Sequence, residues 1–433
     1  MSNHTIKVGL VSLGCPKNQC DAELILHKIA KAGFTLVNEP GLADVVIINT
    51  CAFIQSAKEE AIEEILEAVS RKEDGINKKI IITGCLSERY REQLAEEFPE
   101  VDAIIGLGAN GDIVKVIESA GKVHDFSGSH NMEGGRLLST LPHYAYLRVA
   151  DGCDNKCSYC AIPLFRGSFR SRKLEDIAKE AADLVESGVR ELVLVAQDVT
   201  NYPNLPKLLK SLTQIDKLRW IRLLYCYPHR ITDELIEVIK SEDKIIKYLD
   251  IPIQHCNSEI LAAMNRQDCD LRGLITKLRT EIPDIIIRTT VLVGFPGETE
   301  EQFTELAEFV HEMRFEHLGC FAYSLEEGTA AAEMDDQVDN TEAVRRCEII
   351  VEQQEIRVAE WSDSLIGREF EVVVEGFDRY SDMYFGRSYM HAPEIDSMIY
   401  FGTARTPRPT IGEFINVKIT EVIDNNLIGE VTS

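Results

Sequence analysis

Three apolar, β-branched runs in the first ninety residues, GLVSLG, VVIINT and KIIITG, each lead straight into a cysteine: Cys15, Cys51 and Cys85. Between them lie stretches of helical spacing, DAELILHKIAKAGF and the charged segment 55–71, and the pattern continues through SERYREQLAEEF and VDAIIG. Strand–helix alternation from residue 5 to about 125 leaves few options. It calls for a parallel sheet with helices on both faces, a doubly wound domain over 1–125. A parallel sheet turns all its carboxyl ends to one edge, where ligand sites form. Three thiols far apart in sequence therefore meet on one rim. One cysteine at a strand end is an ordinary buried residue; three in the same register point to a shared ligand. Cys20 falls on or near the first helix, off this pattern.

Residues 126–142, FSGSHNMEGGRLLSTLP, are polar and glycine-rich and read as a linker. Over 143–339 the alternation restarts, with six strand candidates: AYLRV, ELVLVAQ, RWIRLLYC, KYLDIPIQ, IIIRTTVLVG and EHLGCFAYS. Six units fit an open, partial (βα)6 barrel better than the complete eight-unit form. A long polar helix is predicted over 340–364. After Gly367 the runs shorten to FEVVVEGF, YMHAPEI, SMIYFGT, FINVKITEVI and LIGEVT, which predict a small all-β barrel over 365–433.

The stretch CDNKCSYC, residues 153–160, follows the strand AYLRVADG and so sits at the mouth of the second domain. The N-terminus lacks a signal peptide's apolar core, and no run approaches about 18–20 apolar residues, so a cytoplasmic chain is expected. In that setting twelve cysteines favour metal binding over disulfides. Isolated Cys226, Cys269, Cys320 and Cys347 read as small buried hydrophobes. Cys153, Cys157 and Cys160 leave a structural zinc one ligand short. An iron–sulfur cube held by three cysteines keeps one iron open for a substrate or cofactor. Zinc or a plain structural role is the competing reading.

The CxxxCxxC spacing, with Tyr159 before its last cysteine, resembles the radical S-adenosylmethionine enzymes. The resemblance implies a 4Fe–4S cluster whose open iron binds S-adenosylmethionine, and radical attack on a C–H bond that side-chain bases cannot reach. The two cysteine sets in this order, followed by a small barrel, resemble the methylthiotransferases over nearly the whole chain. SLGCPKN (12–18), NTCAF (49–53), TGCL (83–86), CDNKCSYCAIPLFRG (153–167), VLVGFPGET (291–299), FAYS and EGT carry the match. In that family the C-terminal barrel is called a TRAM domain. The resemblance implies a second 4Fe–4S cluster on Cys15, Cys51 and Cys85, a supply of electrons from a donor, and sulfur insertion at a C–H bond. It implies that both cluster mouths face one cavity, with the barrel holding the partner across it. No catalytic residue beyond the cluster ligands is singled out.

The family divides by substrate: an aspartate of ribosomal small-subunit protein 12, or an adenosine of transfer RNA. SLGCPKN, AQDVT (196–200) and YLDIPIQH (248–255) resemble the ribosomal-protein branch. Charge gives an independent argument. The chain stands at −26, and residues 365–433 hold six Lys/Arg against eleven Asp/Glu. Such a barrel repels a phosphate backbone and attracts a basic protein. The transfer-RNA enzyme is the alternative; a non-enzymatic electron carrier is the rival from another class and would need four cysteines per cube. Cys20 and Cys256 depart from the usual family residues. Gly294, Pro296 and Gly297 predict a tight turn, with Thr299 and Gln302 as a capping box; the turn either stands alone or approaches the cofactor. Gln197, Gln254 and Arg288 are cofactor contacts or ordinary interior hydrogen-bonding groups.

Overall fold

The structure, a computed structural model, describes residues 6–267, 269–403 and 408–432. The first sheet is parallel, in the order β2-β1-β3-β4-β5-β6. Its strands are β1 (Lys7–Ser12), β2 (Thr35–Val37), β3 (Val45–Thr50), β4 (Lys79–Gly84), β5 (Ala103–Ile105) and β6 (Val123–Asp125). Every residue of β3 and β4 is buried, as strands covered on both faces require. The sequence predicts four of the six. The two edges, β2 and β6, have three residues each, too few to carry a period.

The second sheet contains the six expected strands, all parallel: β7 (Tyr144–Arg148), β10 (Glu191–Val195), β11 (Trp220–Leu223), β12 (Ile245–Asp250), β13 (Ile286–Val293) and β14 (His317–Ala322). They run in sequence order from one open edge to the other. A short ribbon, β8 (Ala150–Asp151) with β9 (Arg170–Ser171), follows β7. Side chains alternate faces. Ala145 and Leu147 join the helix layer, while Tyr144 and Tyr146 point to the concave face. The helix Asn340–Ser364 has the predicted bounds.

The C-terminal strands, β15 (Glu369–Asp378), β16 (Met383–Arg387), β17 (Ile399–Gly402), β18 (Phe414–Ile423) and β19 (Asn426–Val431), close into a barrel. Two expectations need correction. YMHAPEI is not a strand; MYFGR takes that place. Residues 388–396 instead enter the concave face of the second sheet. There Tyr144 and Tyr146 donate to the Glu394 carboxylate at 2.9 and 3.2 Å, and Tyr248 donates to Asp396 at 2.7 Å. The barrel also does not face the cysteine loops. It docks at the amino ends of the strands, through His143 on Glu375 and Trp220 edge-on to Phe414. That is a strand length, roughly 17–20 Å, from the carboxyl edge.

At the centre of this junction lies Glu191, fully buried. It takes Arg222 at 2.7 Å and Arg387 of β16 at 2.8 Å. Burial alone would raise its carboxyl; Arg387 and then Arg222 bring it down to about 2. Replacing Glu191 by Gln leaves the buried Arg222 without a carboxylate and Arg387 with Glu375 alone, and should lower stability by about 3–5 kcal/mol in chemical denaturation. The depressed pKa makes the contribution of Glu191 complete above its ordinary value near 4.5 and lost as pH falls towards 2. The Gln variant should therefore lose less stability than the wild type across that window.

Candidate functional site

Cys15 is the N-cap of helix α1 (Pro16–Lys31), Cys51 follows β3 directly, and Cys85 opens a short helix after β4. Asn18 ties these loops together. Its buried amide donates to the carbonyls of Leu13 at 2.6 Å and of Asn49 and Thr50 at 3.2 Å. Gly14 makes the close approach possible. Its φ is +87°, and a β-carbon there would lie 2.6 Å from Cys51 Cβ and 2.7 Å from its sulfur. The three thiols share the carboxyl rim, as the alternation predicts.

The second cysteine loop is pinned from both sides. The Cys153 amide donates to the Gly167 carbonyl at 3.1 Å, and the Ser158 amide to Met264 at 3.0 Å. Tyr159 packs with Phe295, Tyr323 and Met264. Arg266 donates to the Tyr159 hydroxyl at 3.3 Å and lies 4.1 Å from the centroid of the Tyr227 ring.

A buried ionic cluster joins the two sites. Asp21 on α1 receives Arg148 at 2.5 Å, Arg166 at 2.8 Å and His130 at 2.7 Å. His130 also reaches Asp151 at 2.6 Å. Arg166 begins six residues past Cys160, yet its guanidinium lies 3.2 and 3.3 Å from the Cys85 sulfur. Burial alone would raise Asp21; Arg148, then His130 and Arg166, hold it well below the usual carboxylate range. The linker 126–142 has no helix or strand, as expected, but it is not a loose tether. The side chains of His130 and Arg136 are buried at the interface, Arg136 on Glu23 at 2.9 Å.

The thiols respond to these surroundings. Burial opposes ionisation of Cys15, but Lys17 and Arg166 outweigh it and lower that thiol. Burial raises Cys51, pushes Cys85 up to about 12 and, in the other set, raises Cys153 and pushes Cys160 up to about 12. Among the described residues no three His, Cys, Asp or Glu side chains close on a single ion. A cube asks for a looser arrangement of soft thiolate donors, with each cysteine on a different iron. The polar surroundings fit a further group as well. Gln197 donates to Asp151 at 2.8 Å, while its buried oxygen has no partner.

Other predicted residues fall as follows. Gln254 adopts φ +70° and bridges to Val291 beside β13. Arg288 pairs with Asp250 at 3.2 Å and lies 3.6 Å from Asp396 of the barrel loop. Gly294 faces the long helix, where a β-carbon would meet Ala343 at 2.3 Å; around Gly297 the same construction meets nothing within 4 Å. The Thr299–Gln302 capping box is present. Cys20 is buried on α1 against the Tyr146 carbonyl, and Cys256 borders the helix-layer core. Cys226 is buried; Cys269, Cys320 and Cys347 are only partly so. Arg166 and Lys17 lie inside the quoted motifs, but the spacing within those motifs points to neither. Arg266 and Tyr225 carry no sequence signal.

Family models match over residues 7–106 (Uncharacterized protein family UPF0004), 147–310 (Radical SAM superfamily) and 366–432 (TRAM domain). The ribosomal protein uS12 methylthiotransferase RimO of Desulforamulus reducens is 47% identical over 98% of this chain and 99% of its own. The RimO of Geobacter sulfurreducens is 45% identical over the full length of both. The chain belongs to the RimO family. Among solved structures, the radical S-adenosylmethionine methyltransferase TsrM of Kitasatospora setae shares the fold, with TM-score 0.57 and 13% identity over 86% of this chain and 79% of that one. No helix among the described residues is long and apolar enough to cross a membrane.

Gly14 offers a direct test of how this RimO-family rim is built. Gly14→Ala places a methyl group against Cys51 at a left-handed φ and should lower stability by about 1–3 kcal/mol. In the metal-free protein, mass-spectrometric footprinting should find Cys51 alkylated several-fold faster, because that thiol is now 5% exposed.

Proposed function

We propose that the chain methylthiolates the β-carbon of an aspartate in ribosomal small-subunit protein uS12. Family membership sets the activity class. The observation that carries the assignment to these residues is the bridge from the Cys153/Cys157/Cys160 loop, through Arg166, to Cys85. In this reading Cys153, Cys157 and Cys160 hold one 4Fe–4S cluster and Cys15, Cys51 and Cys85 hold a second. When bound, the first with S-adenosylmethionine would supply a carbon radical for an unactivated C–H bond, and the second would carry the methylthio group to be transferred.

The protein's own part is positional. Arg166 and Asn18 hold the first rim at a fixed offset from the second loop. Tyr159, Gln197, Gln254 and Gly297 line the S-adenosylmethionine site, with the free Gln197 oxygen as an acceptor for it. Arg288 and Gly294 support that wall from behind, through Asp250 and Ala343. We divide the chain functionally at 1–125, 143–339 and 365–433, joined by the linker 126–142 and the helix 340–364. An electron donor and a cytoplasmic setting follow from this chemistry and substrate. The acidic barrel disfavours transfer RNA as the substrate and acts as a remote docking face for a basic protein.

Mass spectrometry of uS12 after reaction tests the activity: a methylthio group on an aspartate is expected, and modification of transfer RNA adenosine alone refutes it. Changing Cys153, Cys157 and Cys160 to Ala should abolish 5′-deoxyadenosine formation and leave iron on the other set. Changing Cys15, Cys51 and Cys85 should leave cleavage intact and stop transfer; loss of all iron from either triple variant would refute two independent sites. Binding of uS12 to the full chain should weaken as salt rises. The full chain is needed because the barrel shares the buried Glu191–Arg387 pair with the central sheet.

A further inference from the structure

Most buried cations at the junction of the two sheets have carboxylate partners. Arg148 and Arg166 have Asp21, Arg136 has Glu23, Arg172 has Glu180, and Arg89 has Glu326. Two do not: Arg266, which donates to the Tyr159 hydroxyl and the Pro252 carbonyl, and Lys17. Lys17 is 7% exposed, and among the described residues no acidic side chain forms an ion pair with it. Its ammonium instead lies over the Tyr225 ring, 3.6 Å from the centroid. A cation over an aromatic face recovers about 2 kcal/mol when desolvated. The charge also favours the thiolate form of Cys15 beside it, but no carboxylate meets it.

The place of this cation is informative. Lys17 stands two residues beyond Cys15, in the first turn of α1. Tyr225 follows β11 with φ +60°, a conformation that a bulky residue adopts only when its surroundings impose it. Here the Asp250 carboxylate imposes it, accepting the Tyr225 amide at 3.0 Å. Two residues on, Tyr227 lies under Arg266 and beside Cys157. The segment 225–227 thus runs from the first thiol set to the second, with the Lys17 ammonium at one end.

We infer that Lys17 on the Tyr225 ring is the receptor for the side-chain carboxylate of the aspartate being modified. The inference rests on the proposed function and supplies its substrate subsite. The carbon to be modified is bonded directly to that carboxylate, so anchoring the oxygens fixes the C–H bond within a bond length or two. An ammonium offers three donors on a narrow stem. It can therefore grip one carboxylate and leave the adjacent carbon facing the mouth. Asparagine, equal in shape but neutral, forfeits the charge-assisted contact.

The test uses reconstituted full-length holoenzyme as wild type, Lys17→Met and Lys17→Arg. The probes are uS12 and a uS12 variant with Asn in place of the target Asp. Dissociation constants and KM against kcat are measured, with iron and sulfide content as the control. The wild type should bind the Asp form about 10- to 100-fold more tightly than the Asn form. Lys17→Met should lose that ratio by weakening the Asp form alone, and Lys17→Arg should restore part of it. A Lys17→Met holoenzyme that keeps the wild-type Asp/Asn ratio overturns the inference and leaves the proposed function standing. Loss of iron from Lys17→Met, with the ratio kept in Lys17→Arg, also overturns it and makes Lys17 a support of the Cys15 set. A wild type that does not modify uS12 at all overturns the proposed function, and this inference with it.

Discussion

One buried carboxylate fixes the relation between the two halves of the site. Asp21 lies on the first helix of the first domain, and its three cationic partners come from elsewhere: Arg148 from β7, Arg166 from beyond the cysteine loop and His130 from the linker. A buried charge is tolerable only when its partners are all in place. Any sliding of one sheet over the other would strand Asp21 or a guanidinium at a cost of several kcal/mol. The ionic cluster adds little net stability by itself and much specificity of docking, and Arg166 extends that specificity to the Cys85 sulfur.

A second cluster does the same work at the far end of the central sheet. Glu191 binds Arg222 and Arg387, and Arg387 binds Glu375 in turn. The two hubs occupy opposite ends of the same strands. Parallel βα sheets place chemistry at carboxyl ends and stability at amino ends, and both halves of that rule appear here. The amino edge is closed by a whole domain. Its loop 388–396 fills the concave face with Met390 and Ala392, both buried, and with carboxylates that meet tyrosine hydroxyls.

Much of this was legible in the sequence because the signals were local. VVIINT and KIIITG are continuous apolar runs because both faces of their strands are covered, and the parallel topology then fixes where their cysteines emerge. The misreadings have one cause: burial arising from tertiary contact. YMHAPEI alternates polar and apolar residues like a strand, but its buried members face the central sheet rather than a barrel core. MYFGR is half-exposed for its first three residues and so gave a weaker pattern. In the linker, polar composition concealed burial, because His130 and Arg136 are satisfied by charge rather than by water. Arg166 and Lys17 lie in legible motifs, yet their partners are 145 and 208 positions away. Spacing within the motif cannot report them.

The distance between barrel and rim also decides how selectivity must be divided. Exposed charges at physiological salt act over about 8 Å, whereas the barrel docks a strand length, roughly 17–20 Å, from the cysteine loops. Its acidity can raise the rate at which a basic partner arrives and orient it coarsely. It cannot sense which carbon is presented, nor whether the side chain beside that carbon bears a charge. That discrimination falls to groups within hydrogen-bond reach of the reacting atom, where water is excluded and a single charge counts for most. At the carboxyl rim most buried cations are already committed to Asp21, Glu23, Glu180 or Glu326. Arg266 and Lys17 are the two without a carboxylate; Arg266 is taken up by the Tyr159 hydroxyl and the Pro252 carbonyl, which leaves the Lys17 ammonium on its strained tyrosine as the group inferred for that role.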